Sequence, residues 1–366
     1  MKRLDFAIVV WGKDYVETFL TLALPSFLAR DNIPACAKML PVRFTIITRP
    51  EDVGSFEGRS VLDKLRQYAD LRILPLLTED RFQSGNRYET MAYGHRVVIA
   101  ESLRDGAALS ILSPDCVIAN GGLKYGLSKL NEGVKAVLVS GPRAELEAIS
   151  AALLQKFGST EPNVLDIPAR RLVSLLCRYP HDISKILFWD REPFSAFPSA
   201  VYWSAGQDSL LAKYFHLHPI FVDLSVAAQD AVNSGTIDGS LLELAAIQPS
   251  DRYVVTDSDD MCVVELSRIS HDPMGSLPVQ VDDKVEYVAE WAKKFADASH
   301  CRQFVDSFFR YRGGEQVDWP EEEKKALAGL GSLPGILLSM KTENQASILS
   351  RINARLKRFF DAVVAR

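Results

Sequence analysis

The sequence has no excess of basic charge and no closely paired cysteines. Its 42 Lys and Arg residues against 47 Asp and Glu residues give a formal net charge of −5. Such a chain has no overall basic field to attract nucleic acid, so we expect no nucleic-acid partner. No two cysteines have CxxC spacing, which argues against a zinc ribbon and a redox dithiol. We expect free thiols in a reducing compartment. The cysteines are Cys36, Cys116, Cys177, Cys262 and Cys301.

Long hydrophobic runs are also missing. The first apolar run, Phe6–Val10, ends at Trp11 and is shorter than the roughly 7–15 apolar residues of a secretory signal. No run elsewhere reaches the about 20 residues needed to span a bilayer. The sequence therefore predicts a cytoplasmic protein.

The glycine-rich loops that hold phosphates are absent as well. The first strand is followed by Trp11-Gly12-Lys13-Asp14, and neither GxGxxG nor GxxxxGK[ST] occurs in the chain. These loops bind pyrophosphate through backbone N–H groups, so their absence argues against nicotinamide enzymes and P-loop NTPases. A Rossmann-like methyltransferase also needs a glycine-rich first turn, which is not evident here.

Short apolar runs alternate with helical patterns through the first 158 residues. Alternating strands and helices are typical of βαβ units, and strands apolar on both faces fit a sheet covered by helices on both sides. The predicted strands are Phe6–Val10, Val42–Thr48, Leu71–Leu77, Ala108–Leu112 and Lys135–Ser140. The predicted helices are Tyr15–Ala29, Arg59–Tyr68, Asn86–Leu103 and Ala144–Phe157.

The pattern changes after this region. Short β-like runs follow between Trp189 and Leu266, and helical patterns follow from Val281 onward, including Cys301–Tyr311. Prolines and a glycine within 270–282 indicate a boundary. We therefore predict a nucleotide-binding α/β half (1–145), an acceptor-side α+β region (146–270) and a C-terminal helical region (271–366).

Residues that directly follow strands are the first candidates for ligand contacts, because open α/β sheets bind ligands at the carboxyl ends of their strands. Trp11 and Gly12 follow the first strand, and Thr48 and Arg49 follow the second. Asp115 follows the fourth. A carboxylate there can hold a ribose hydroxyl or a divalent metal that bridges a diphosphate. The alternative is that Asp115 caps a turn.

In this order of elements, segments 6–12, 42–49 and 108–122 resemble the nucleotide-sugar glycosyltransferases of GT-A type. The resemblance covers about the first 145 residues and implies a nucleotide diphosphate sugar as donor. It places an acidic motif at Asp115, where the family usually has Asp-x-Asp and this chain has Asp115-Cys116-Val117. Mn²⁺ or Mg²⁺ is the implied cofactor, and a metal-independent mechanism is the alternative. In that alternative, basic residues such as Arg49 and Arg143 neutralise the diphosphate.

Two histidines form a second candidate site. His216 and His218 are two residues apart in a β-like run, which places both rings on one side of a strand. With Asp223 they have the residue types of a metal site, or one of them has the chemistry of a general base. The resemblance implies that a late histidine such as His218 completes the metal site with Asp115 or contacts the diphosphate. The alternative is a polar strand face.

Acidic residues in the second half are candidates for the catalytic base. Asp257 and Asp259 have the Asp-x-Asp spacing that Asp115 lacks. They lie between two apolar runs, Tyr253–Thr256 and Cys262–Leu266, and this pattern predicts a β-hairpin with the acids at its tip. Asp190 is a third candidate, beside Trp189, because aromatic rings and carboxylates together suit sugars.

The function predicted from these features is glycosyl transfer, of hexosyltransferase type, from a nucleotide diphosphate sugar to a glycan or other surface polymer in polysaccharide biosynthesis. The alternative is a non-catalytic GT-A-like binding or scaffold protein. A basic amphipathic pattern at 343–364 predicts peripheral contact with the inner membrane or packing against the chain's own domain. The oligomeric state is left open by the sequence.

Overall fold

A computed structural model describes residues 1–78, 87–158, 161–224, 241–270, 277–314 and 316–340. The strands are β1 (Leu4–Val9), β2 (Val42–Ile47), β3 (Asp70–Leu74), β4 (Ala108–Leu112), β5 (Cys116–Ile118), β6 (Ala136–Val139), β7 (Arg143–Glu145), β8 (Phe194–Ser195), β9 (Ala200–Ser204), β10 (Leu210–Tyr214), β11 (His218–Asp223), β12 (Arg252–Val254), β13 (Val263–Ser267), β14 (Pro278–Val279) and β15 (Phe309–Tyr311). The predicted 343–364 helix lies outside the described residues.

The helices lie mostly between the strands of the first half and in the C-terminal third. They are α1 (Lys13–Thr18), α2 (Leu24–Phe27), α3 (Ile33–Met39), α4 (Ser60–Arg66), α5 (Arg87–Asp105), α6 (Gly122–Asn131), α7 (Leu146–Phe157), α8 (Ala169–Arg178), α9 (Asp182–Lys185), α10 (Leu241–Leu244), α11 (Lys284–Phe295), α12 (Ala298–Asp306), α13 (Trp319–Leu330) and α14 (Leu333–Ser339). Among the described residues, none of these helices is both long and apolar enough to cross a membrane.

The central sheet has seven strands in the order β12-β6-β11-β4-β1-β2-β3. β1 is parallel to β2 and β4, β2 to β3, and β12 to β6. β11 runs antiparallel between β4 and β6. This arrangement confirms the predicted fold class of an open, mainly parallel sheet flanked by helices, with a helical C-terminal part.

Both faces of the central sheet are covered, which explains why its strands read as continuous apolar runs. Successive β1 residues alternate between two cores: Ala7 and Val9 belong to one, and Phe6 and Ile8 to the other. Helix α5 packs closely on the first face, since a Cβ at Gly94 would lie 2.8 Å from a Val9 methyl.

Smaller sheets extend the molecule beyond the central sheet. β15, β10 and β9 form one three-stranded sheet, and β5, β13 and β7 form another. Helices α11, α12 and α14 surround a separate apolar core that includes Trp291, Phe304 and Leu333. Because β11 and β12 come from the 146–270 region, the central sheet draws on both of the first two predicted regions. The division into three regions stays a prediction.

Two local predictions were wrong. Cys301–Tyr311 is not one helix: α12 ends at Asp306, Ser307 has extended backbone, and β15 begins at Phe309. The runs before and after Asp257 do not form a β-hairpin either. β12 pairs with β6 in the central sheet, whereas β13 pairs with β5 and β7. Each run finds a distant partner strand, so the polar stretch connects two sheets rather than two paired strands.

Candidate functional site

Most of the predicted site residues lie at one edge of the central sheet. The six mutually parallel strands all end at this edge, and β11, which runs the other way, begins there at His218. The residues that follow β1, β2, β4 and β12 therefore share the edge with the start of β11. They include Gly12, Arg49, Asp115 and Asp257.

The loops after β1 and β2 are bonded to each other through Asp52. The Gly12 N–H donates to Asp52 Oδ2 at 2.8 Å, and Arg49 Nε donates to the same oxygen at 2.7 Å. A second Arg49 nitrogen donates to Asp52 Oδ1 at 3.1 Å. The Arg49 guanidinium lowers the pKa of Asp52. Gly12 has φ of 80°, where a side chain would be strained, so this turn depends on glycine.

Thr48 is fully buried between the ends of β2 and β3. Its N–H donates to the Leu74 carbonyl at 3.0 Å, and its carbonyl accepts from Leu77 N–H at 3.1 Å. Its Oγ1 has no hydrogen-bond partner among the described residues. A buried hydroxyl without a partner is costly, and because Thr48 is 0% exposed, this side chain lies beneath the edge rather than on its surface.

Asp115 lies between β4 and β5 in the densest group of charges at this edge. Ser113 Oγ donates to Asp115 Oδ1 at 2.6 Å, and the Leu266 N–H donates to the Asp115 carbonyl at 2.7 Å. The residue keeps part of its surface accessible. Burial, reinforced by the charge of Glu265, raises the pKa of Asp115 to about 6, although Ser113 and Arg143 oppose the shift.

Glu265 and Arg143 complete this group from the neighbouring strands. In the β5-β13-β7 sheet, Glu265 is opposite Cys116 on one side and Arg143 on the other. Directly opposed residues place their side chains on one face of a sheet. Arg143 Nη2 lies 2.9 Å from Glu265 Oε1. The charges of Glu265 and Arg143 both reach Asp115, so two carboxylates and one guanidinium lie together at the position where the GT-A resemblance places an acidic motif.

His216 and His218 do not form one pair. His218 Nε2 lies 2.9 Å from the Ile111 carbonyl oxygen. A carbonyl oxygen only accepts hydrogen bonds, so Nε2 must carry the proton, and in the neutral ring the lone pair is on Nδ1. His216 precedes β11, and its ring is 4.2 Å from that of His300 in the C-terminal helices. The predicted common face is therefore wrong, and His218 alone lies at the carboxyl edge.

The acids after β12 are held by arginines from two other elements. Arg312 Nε lies 2.9 Å and 2.7 Å from the two Asp257 carboxylate oxygens. Arg170 on α8 pairs with Asp259, with its shortest contact at 2.8 Å. These acids thus occupy a fixed, ion-paired turn at the edge of the sheet.

Asp190 lies in a different environment. It is exposed in a turn whose neighbour Trp189 donates through Nε1 to the Gly329 carbonyl at 2.9 Å. Lys284 bonds the Trp189 and Arg191 carbonyls at 2.8 and 2.6 Å. These contacts fasten the turn to the C-terminal helices, and they do not bring it to the residues around Asp115. Trp11 is half-buried and packs against the core beneath the edge.

Sequence reasoning missed Glu265, Asp52 and Arg312. Glu265 is the one charged residue within the apolar run Cys262–Leu266, and that interruption was an available signal. Nothing in the local sequence links Asp52 to Gly12 or Arg312 to Asp257, because the partners are distant along the chain.

The donor groups around Asp115 fit Mg²⁺ or Mn²⁺ only together with a substrate. Mg²⁺ in such sites takes one or two carboxylates and completes its shell with phosphates and water. Asp115 and Glu265 supply two carboxylates. In the described part of the chain, no group of three or more His, Cys, Asp or Glu side chains is placed to hold an ion. A metal would thus depend on the oxygens of the bound diphosphate.

Comparison with known proteins gives only weak similarities. No protein-family model matches the chain, and no curated protein matches its sequence. A crystal structure of TarS from S. aureus matches with a TM-score of 0.27 and 13% identity over 40% of this chain and 24% of that one. A putative glucose-1-phosphate thymidylyltransferase from Bacillus anthracis, in complex with a sucrose, matches with a TM-score of 0.25 and 12% identity over 40% of this chain and 57% of that one.

Mouse xyloside xylosyltransferase 1 in its apo form matches with a TM-score of 0.24 and 9% identity, over 44% of this chain and 61% of that one. The chain thus spans less than two thirds of each of these structures. At such TM-scores the similarities carry no argument, and activity and substrates rest on the site itself.

Proposed function

We propose that the chain is a glycosyltransferase that moves a sugar from a nucleotide diphosphate donor to a glycan or other surface-polymer acceptor. The observation that carries the proposal is the Asp115–Glu265–Arg143 group at the carboxyl edge, directly after the fourth strand.

The roles of the residues follow from their charges. Arg143 is oriented by Glu265 and would offer its remaining N–H groups to the diphosphate, whose leaving oxygen gains charge during transfer. His218 would stand beside the diphosphate from the start of β11. A divalent ion bound by Asp115, Glu265 and the diphosphate would neutralise the leaving group, and Arg143 would do so in the metal-independent alternative.

The acceptor hydroxyl must lose a proton when it attacks the anomeric carbon and the nucleoside diphosphate leaves. Asp257 and Asp259 are the preferred bases, because their turn follows β12 at the same edge as Asp115. Asp190 is less suitable, since its turn is attached to the C-terminal helices.

The experiment is a titration of the full chain with UDP and GDP and their common sugars, with and without Mn²⁺, followed by thermal shift. We expect a nucleotide to stabilise the protein, and Asp115→Asn to weaken that binding at least tenfold. Asp70→Asn is the matched control, because Asp70 is an exposed carboxylate at the start of β3, away from the carboxyl edge. No stabilisation by any nucleotide would overturn the proposal.

Two further outcomes separate the alternatives. Because the described residues around Asp115 provide only two carboxylates, Asp115 and Glu265, Mn²⁺ alone should bind weakly and should bind better after a nucleotide is added. Nucleotide binding without transfer to any acceptor would favour the non-catalytic binding protein.

A further inference from the structure

A polar cavity lies beside the turn that follows β12. Its volume is about 420 Å³, within the usual range for small-ligand sites. It is lined by Arg170, Arg312, Gly314, Gln316, Val317 and Trp319. We call it the arginine cavity.

Each of the two arginines of the cavity pairs with both oxygens of an aspartate. Arg312 pairs with both Asp257 oxygens, and its Cζ lies 5.1 Å from the centre of the Trp319 ring. Its backbone N–H donates to Ser258 Oγ at 2.8 Å. Arg170 contacts both Asp259 oxygens, at 3.1 to 3.2 Å through Nε and 2.8 Å through Nη2. The guanidinium groups therefore present their remaining N–H groups in set directions.

Two glycines beside the cavity, Gly313 and Gly314, contact Asp208. The Gly314 N–H donates to Asp208 Oδ2 at 2.7 Å, and Ser174 Oγ donates to the same oxygen at 2.7 Å. A Cβ at Gly313 would lie 2.0 Å from the Asp208 carbonyl oxygen, so the backbone can approach Asp208 this closely only with glycine there. Asp208 thus holds the backbone of Gly314 at the cavity.

The charges of the arginine cavity favour an uncharged ligand with hydroxyl groups over an anionic ligand. Two guanidinium groups face the carboxylates of Asp257 and Asp259, and Asp208 adds a third carboxylate behind the loop. Two cations against three carboxylates leave a net negative charge here, which disfavours an anionic ligand. Hydroxyl groups both donate and accept hydrogen bonds, so they can bond arginine and aspartate together without breaking the ion pairs.

The cavity is connected to the carboxyl edge of the central sheet. Asp257 follows β12, and Tyr311, next to Arg312, donates from its hydroxyl to the Ser140 carbonyl at 3.1 Å after β6. We propose that the arginine cavity binds an uncharged, polyhydroxylated glycan as the acceptor, which rests on the glycosyltransferase function proposed above.

The test is binding of the full chain, with and without saturating nucleotide, to an array of neutral and acidic glycans. We expect binding to neutral glycans only. Arg170→Ala and Arg312→Lys should each weaken it at least tenfold, since the first removes the guanidinium and the second keeps the charge but loses the bidentate geometry. Arg30→Ala is the matched control, because Arg30 forms a similar exposed pair with Asp31 elsewhere.

The outcomes separate this inference from the function on which it rests. Both cavity variants should keep their nucleotide-induced thermal shift, which also shows that they fold. Nucleotide binding with no neutral-glycan binding, binding to acidic glycans only, or glycan binding that both variants retain would overturn the acceptor site alone. Neutral-glycan binding with no response to any nucleotide would overturn the glycosyltransferase proposal.

Discussion

Lys213, on β10, is a buried cation whose ammonium group binds the carbonyl groups at the C-terminal end of α12. It is 1% exposed, and its Nζ donates to the carbonyl oxygens of Phe304 and Val305 at 2.9 Å each, and of Ser307 at 3.3 Å. These carbonyls lie at the end of α12, where helical carbonyls lack partners and a cation is favourable. Burial lowers the pKa of Lys213 to about 8.

Replacing Lys213 by Met should destabilise the protein in a pH-dependent way. The loss of three hydrogen bonds to buried carbonyls should cost about 2–4 kcal/mol near pH 7. The pKa of Lys213 is lower in the folded protein than in the unfolded chain. Between about pH 8 and 10.5 the native state therefore binds fewer protons than the unfolded state, and the wild-type protein gains stability as the pH rises through this range. The cost of Lys213→Met should therefore be about 2 kcal/mol larger at pH 9.5 than at pH 7.

Urea unfolding of both proteins at the two pH values measures this difference. Lys213→Arg keeps a cation at the same place and serves as the comparison. An equal cost of Lys213→Met at both pH values would show that the lysine has its ordinary pKa.

Helix α6 shows how one position decides the packing of a whole element. A Cβ at Gly126 would lie 2.4 Å from the Phe221 ring on β11 and 2.8 Å from the Met261 methyl. The helix therefore contacts β11 at a glycine. Gly126→Ala should destabilise the protein by about 1–3 kcal/mol, since the helix must move or the ring must leave its rotamer.

The control for Gly126→Ala is Gly335→Ala in α14, where an added Cβ would meet nothing within 4 Å. That substitution should stabilise slightly, by up to about 1 kcal/mol, through helix propensity. Equal effects of the two substitutions on the free energy of unfolding would contradict the packing account.

The elements differ in how well the sequence specifies them. β1, β2 and β4 were predicted close to their ends because buried parallel strands leave short apolar runs between helical patterns. The hairpin predicted around Asp257 failed because an apolar run shows that a strand exists but not which strand it pairs with. The candidate site shows the same difference. Asp115 and Arg143 were predicted from their places after strands, whereas Glu265 comes to lie beside Arg143 through strand pairing that no local pattern reveals.

At the scale of the molecule, two sheets share one core. Residues of β1, β4 and β6 belong to the same apolar cluster as Ala200, Tyr202 and Phe309 of the β15-β10-β9 sheet. Hydroxyl groups of Tyr214 and Tyr311 lie 3.0 Å apart within it, and Tyr311 reaches the Ser140 carbonyl. Such sharing predicts that the two sheets unfold together.

Thiol labelling can test this cooperativity. Burial raises the pKa of Cys36 and of Cys177 to about 12 and that of Cys301 to about 11, so these thiols should not react in the native protein. We expect all three to become reactive in one transition as urea is raised. Earlier labelling of Cys301, which lies among the C-terminal helices, would show that those helices unfold separately.

The placement of β11 has a consequence for folding during synthesis. β11 lies between β4 and β6, yet it is translated after both of them. While the chain emerges from the ribosome, β1 to β4 can assemble into a parallel sheet whose β4 edge stays unpaired until residues 218–223 arrive. β6 can join that sheet only through β11. From the synthesis of β4 until β11 is made, the nascent chain therefore has an unpaired strand edge, and such an edge favours aggregation.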